Sequence, residues 1–77
     1  MRYDSVQVGA MVRQVRRRYK ITQKDLALTS DTGLRFIIDL EKGKPTCHLG
    51  KVLAVLSTLG IGVHFDIPGD DKGQGQA

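Results

Sequence analysis

Residues 22–41, TQKDLALTSDTGLRFIIDLE, decide the fold. Thr22 is placed to cap a helix, with Asp25 three residues on as its capping partner and a favourable charge at the positive helix end. Leu26 and Ala27 are the residues this helix would bury, and it ends near Ser30. Asp31-Thr32-Gly33 is too short for anything but a tight break between two helices. Residues 34–41, LRFIIDLE, then form the next helix, with Ile37 and Leu40 on one side and Phe36 at its edge. Leu34, Arg35, Ile38 and Asp39 fall largely on the other side. Two exposed aliphatics beside an arginine are odd on a plain surface helix. They suit a helix that lies in a groove.

Working outward, residues 5–19 read as an amphipathic helix capped by Asp4, with Gln7 completing a D-x-x-Q capping box. Val8, Met11, Val12, Val15 and Tyr19 recur at helical spacing and form its apolar stripe. Arg13, Arg16, Arg17 and Arg18 fall mostly off that stripe, and either a solvated face or phosphate contact accounts for them. On the other flank, Lys42-Gly43-Lys44-Pro45 stops the helix, Gly43 suiting the left-handed C-cap position. Thr46 is placed to cap a fourth helix running to about Leu59. Leu49, Val52, Leu53, Leu56 and Leu59 make its expected stripe, with Val55 off it. Beyond Gly60 the period changes: Ile61, Val63, Phe65 and Ile67 alternate with Gly62, His64 and Asp66, which predicts a strand over 61–67. One strand alone leaves its ladder groups unpaired, so it calls for a partner from outside. The tail from Pro68 onward, PGDDKGQGQA, reads as disordered.

The chain has 77 residues, which allows one domain, read as 1–67 with the tail 68–77 outside it. A chain this small buries only ~60–65% of its unfolded surface, so it needs reinforcement. Cys47 is the single cysteine, which excludes an internal disulfide and suits a reducing cytoplasm. Cys47 and His48 are adjacent and lack further ligands at zinc spacing, so no metal is expected. Self-association remains. The apolar runs are too short to span a membrane. The net charge is +4, and ten of the twelve basic residues precede position 45. One half of the chain therefore carries a positive field, as a nucleic-acid face requires. Catalysis has little to stand on: His48 and His64 have no serine or cysteine at motif spacing, no glycine-rich phosphate loop is present, and no cofactor is implied.

The three-residue break at 31–33 has the length found inside a helix-turn-helix. Residues 9–56, GAMVRQVRRRYKITQKDLALTSDTGLRFIIDLEKGKPTCHLGKVLAVL, resemble the phage Cro and repressor family of that motif, the xenobiotic-response-element type. The landmarks are VRQVRRRYKIT, then TQKDLA, a helix ending DLEKG, and a leucine-spaced helix. Within that family, TGLRFIIDLEKGKPT and the strand after LSTLG look closest to HipB-type antitoxins. The resemblance implies an all-α, lambda-repressor-like domain of four to five helices, with one C-terminal β-strand pairing across a homodimer. It also implies autoregulation of an operon, and binding to a HipA-like kinase toxin. The chain departs from the family at the turn, where Asp31 and Thr32 stand in place of a glycine and an apolar plug. Asp tolerates the left-handed conformation better than most residues.

Carried over residue by residue, the resemblance gives Gln23 a phosphate, though an ordinary exposed glutamine fits the position too. Arg35 is the candidate base reader, since bidentate Arg to guanine is the commonest specific major-groove contact. A salt bridge to Asp31 or Asp39 is the competing use. Leu34 and Ile38 face thymine methyls or pack within the domain, and Gly33 allows close approach to the DNA backbone. Asp39 either accepts from cytosine or orients Arg35. Lys42 and Lys44 flank the recognition helix at phosphate height. Glu41 matches the family's glutamate that pairs with a first-helix arginine, here Arg16. Ile61, Val63, Phe65 and Ile67 form the expected dimer seam.

The expected function is thus a dimeric, cytoplasmic repressor of double-stranded operator DNA, acting as the antitoxin of a kinase toxin. A free-standing phage or restriction-modification regulator is the alternative. A module that primarily inhibits a partner enzyme is a third reading, weakened by the basic front half.

Overall fold

The computed structural model describes residues 4–45 and 48–69. Four helices follow one another among the described residues: α1 (Ser5–Arg18), α2 (Gln23–Thr29), α3 (Leu34–Glu41) and α4 (Leu49–Thr58). Their starts follow the local chemistry. The Asp4 side chain accepts from the Gln7 N–H at 2.9 Å while Gln7 Oε1 accepts from the Asp4 N–H at 3.2 Å. Thr22 and Asp25 make the same reciprocal pair at 3.0 Å each way. Two of the orphan donors at each helix start are thereby satisfied.

All four helices end alike. Lys20, Asp31, Gly43 and Gly60 each adopt a positive φ just past the helix. In each case the next amide reaches back to the last turn: Ile21 to Arg16, Thr32 to Ala27, Lys44 to Asp39 and Ile61 to Leu56, at 2.9–3.4 Å. This double closure satisfies carbonyls the helix leaves open. Gly43 is needed twice over, because a Cβ there would also meet Val6 Cα at 2.8 Å. The turn between α2 and α3 dispenses with an apolar plug. Buried Ser30 donates its hydroxyl to the Leu26 carbonyl at 2.7 Å, which leaves the Thr32 hydroxyl to donate to Ser30 Oγ at 3.0 Å. Two hydroxyls that bond each other cost little to bury.

The core comprises Val12 from α1, Leu26 and Ala27 from α2, Ile37 and Leu40 from α3, and Val55, Leu56 and Leu59 from the α4 end. Helix α3 lies against both α1 and α2. A close passage is at Gly9, where α1 meets the C-terminal end of α3.

Four expectations change. Val55 is fully buried, whereas Leu49 and Leu53 are 66% and 42% exposed. The α4 stripe therefore runs Val52, Val55, Leu56, Leu59, an equally regular helical spacing rotated about the axis. Tyr19 lies just past α1 and is largely exposed, but its hydroxyl donates to the Leu59 carbonyl at 3.3 Å and ties the end of α1 to the end of α4. Helix α4 begins at Leu49, with His48 in the cap position and no side-chain capping bond; Thr46, the expected cap, lies outside the described residues. Residues 61–67 form no strand, and no strand occurs among the described residues. A strand is defined by its ladder, and nothing among the described residues offers one to that segment. Ile61 packs on the core, while Val63, Phe65 and Ile67 are exposed. Of the expected disordered tail, Pro68 and Gly69 form a turn and 70–77 lie outside the described residues.

Candidate nucleic-acid interface

The N-terminal end of α3 is held out from the body of the domain. Gly33 caps it without a side-chain bond, and a Cβ at Gly33 would meet open space. Leu34 is 45% exposed, the Arg35 side chain 76% exposed, and Ile38 half-buried. An open helix end with an arginine and two aliphatics is what a major-groove reader needs.

Asp39 sits one turn behind Arg35. Its two carboxylate oxygens lie 3.6 Å from Arg35 Nε and 3.7 Å from Lys44 Nζ. In the free chain Asp39 is thus the ion-pair partner of both cations. Exposed pairs this long contribute about 0–1 kcal/mol, so Arg35 is easily released to another partner. The side chain of Lys42, at the C-cap of α3, has no polar partner among the described residues.

Gln23 is less free than expected. Its Nε2 donates to Glu41 Oε1 at 3.2 Å. The same carboxylate takes Arg16 Nε at 2.6 Å and Arg16 Nη2 at 3.0 Å, a two-pronged grip, while Arg16 Nη1 donates to the Ile21 carbonyl at 2.8 Å. The side chains are only 11% and 3% exposed. Arg16 and Glu41 are therefore structural, as the resemblance implied. The pair locks the ends of α1 and α3 together and holds Gln23 at the start of α2.

The structure adds residues that the sequence reading passed over. Lys51 on α4 lies with its Nζ 5.7 Å from the Phe36 ring centroid. With His48, Arg35, Asp39 and Lys44 it lines a cleft along one flank of α3. A division of the charges at position 45 hid Lys51, because only the fold-back of α4 brings it beside the recognition helix. The sequence held one signal, a basic residue in the first turn of α4. Asp25 has its carboxyl held below the usual carboxylate range by the backbone and side-chain hydrogen bonds from Thr22; it caps α2. No helix among the described residues is long and apolar enough to cross a membrane.

Comparisons with known proteins agree with this geometry. No family model matches the chain. An HTH-type transcriptional regulator of Sinorhizobium fredii (strain NBRC 101917 / NGR234), y4mF, described as uncharacterised, is 51% identical over 65 residues, 84% of this chain and 86% of that protein. The crystal structure of the restriction-modification controller protein C.AhdI from Aeromonas hydrophila superposes with a TM-score of 0.68 at 25% identity. That match covers 77% of this chain and 86% of the controller. The chain belongs to the helix-turn-helix family of transcriptional regulators, which are DNA-binding proteins and not enzymes.

Proposed function

We propose that this protein is a sequence-specific repressor that binds an inverted-repeat operator as a homodimer, free-standing in the manner of phage or restriction-modification regulators. The carrying observation is the open N-terminal end of α3, with Arg35 exposed at 76% and Lys44 and Lys51 beside it. In this reading Arg35 reads a base, Leu34 and Ile38 lie against thymine methyls, and Gly33 lets the helix end approach the strand. Gln23, Lys42 and Lys44 hold phosphates, and Asp39 hands Arg35 over on binding. The likeness to a restriction-modification controller supports the free-standing regulator. Neither relative's description names a toxin or an antitoxin, so the HipA-like kinase partner is set aside. The domain spans 1–67, and it acts in the cytoplasm, where bacterial DNA is found.

Dimerisation rests on the chain end. Phe65 is 83% exposed, Ile67 64% and Val63 43%, more apolar surface than a lone copy has reason to present. Antiparallel pairing of 61–67 with its copy across a two-fold axis would cover Ile61, Val63, Phe65 and Ile67 and satisfy both ladders at once. Half-sites spaced by about one helical turn, roughly 34 Å, follow from that symmetry.

The test is selection of an operator from random duplexes, followed by anisotropy titration. Arg35→Ala should cost about 1–3 kcal/mol and relax preference at one base position per half-site. Unchanged specificity in that variant would remove Arg35 from base reading.

A further inference from the structure

The four arginines of α1 look alike in sequence, but the structure divides them. Arg16 is consumed by Glu41. The Arg13 and Arg17 side chains are exposed, have no polar partner among the described residues, and line one groove with Lys42. Arg18 is exposed and lies off that groove.

Val6, Ala10, Gln14 and Glu41 complete its lining. Among the described residues Glu41 is the only acidic one lining it, and Arg16 already neutralises it at 2.6 Å. Among the described residues, three cations with unpaired side chains therefore face a shallow surface that holds no aromatic anchor. Protein interfaces draw their energy from such anchors. A polyanion needs only the charges. Side chains at i and i+4 stand about 5–6 Å apart on one helix face. Phosphate charges recur every ~3.4 Å of axis along each DNA strand, so two long arginine side chains one helical turn apart can reach phosphates one or two steps apart. The groove also adjoins the C-terminal end of α3 and, through Glu41, the start of α2. Lys42 caps α3, and Glu41, bonded to Gln23, borders the start of α2.

We propose that the groove between α1 and the α3–α4 turn holds the sugar–phosphate backbone beyond the bases that α3 reads, with Arg13 and Arg17 as its phosphate ligands. The inference rests on the operator-binding reading above and lengthens its footprint on each half-site. Arg13 and Arg17 then set how tightly the repressor binds and how strongly salt weakens it, without touching base preference.

The experiment uses the full chain, the selected operator and anisotropy titration across a salt series. Wild-type protein must first prefer that operator over a random duplex; if it does not, the operator reading itself fails before any variant is made. Arg13→Gln/Arg17→Gln should flatten the salt slope by about 0.9 per lost phosphate contact for each protomer. For one half-site occupied by one protomer, wild-type affinity then falls about twelvefold more than the variant's between 50 and 200 mM salt. Base preference and melting temperature stay unchanged, and Arg13→Lys/Arg17→Lys restores the slope. Trimming the duplex outside the half-sites should weaken wild-type binding and leave the glutamine variant unaffected. Arg17→Gln against its neighbour Arg18→Gln separates a site from bulk charge: the first lowers the slope and the second leaves it near wild type. Equal effects of Arg17→Gln and Arg18→Gln would overturn the proposal, as would an unchanged slope in the double variant. Intact operator binding with lost repression in cells would overturn it too, and would assign the groove to an acidic protein surface.

Discussion

Gly9→Ala puts a close helix contact of the fold to the test. Gly9 is buried in α1 at the point where it crosses the end of α3. A Cβ there would run into the Leu40 carbonyl oxygen, far inside van der Waals contact, and would stand 3.1 Å from both the Glu41 carbonyl oxygen and the Gly43 nitrogen. All three obstacles are backbone, so no side chain can swing aside. Two effects oppose each other. Alanine in a helix interior gains about 1 kcal/mol over glycine. Overpacking against a rigid neighbour costs typically 1–3 kcal/mol, and more where backbone must shift. Here the shift would also disturb the α3 closure and the Arg16–Glu41 pair, which places the cost at the upper end. The expected net loss is about 1–2 kcal/mol, a fall in Tm of roughly 4–16 °C for a domain of this size. Gly50→Ala is the control, because a Cβ at Gly50 meets open space. The same substitution there should raise Tm by a few degrees, through propensity alone. Circular dichroism melts at one fixed protomer concentration read both, since a dimer's Tm depends on concentration. A Gly9→Ala protein that melts at or above wild type would refute the close α1–α3 approach.

Glu41→Ala strands the buried Arg16 charge and should cost about 3–5 kcal/mol, read as a lowered urea midpoint; a loss under 1 kcal/mol would mean the pair is solvated. The chain-end dimer predicts that truncation after Gly60, or Phe65→Asp, lowers Tm and shifts sedimentation toward monomer. A fully dimeric truncated protein would move the seam to the exposed Leu49 and Leu53 of α4. Asp25 has a lowered pKa in the folded protein, so its cap is fully stabilising above the unfolded-state value and is lost as pH falls through the folded one. The stability gap between wild type and Asp25→Asn should therefore be widest near neutral pH and close on acidification. A gap that widens in acid would reverse the assignment.

Local chemistry was legible and tertiary choice was not. Asp4–Gln7 and Thr22–Asp25 fixed two helix starts because capping boxes act within four residues. Gly43 and Asp31 marked their turns for the same reason. The burial of Val55 could not be read in advance, since Leu49, Val52, Leu53, Val55 and Leu56 offer two regular apolar stripes. Only the docking of α4 on the rest of the core selects between them. The strand at 61–67 rested on alternation alone, and alternation names a face without supplying a partner. At the site, Arg35, Asp39 and Lys44 were found from their positions on and after α3, and the structure adds that they form one chain of contacts. Lys51 and the Gln23–Glu41 bond join residues 15 or more positions apart in sequence. No local pattern points to them.

On the proposed operator-binding reading, the Glu41 carboxylate has a consequence for the speed of search as well as for stability. Its bond to Gln23 immobilises a side chain at the edge of the reading surface before any DNA arrives, so the ordering entropy is settled during folding. A glutamine left loose would surrender that freedom at each encounter, at about 0.5–1.5 kcal/mol for an immobilised side chain. Most encounters on a chromosome are with the wrong sequence. A phosphate ligand already in place lets the bases be tested at each of them without waiting for a rotamer to be found.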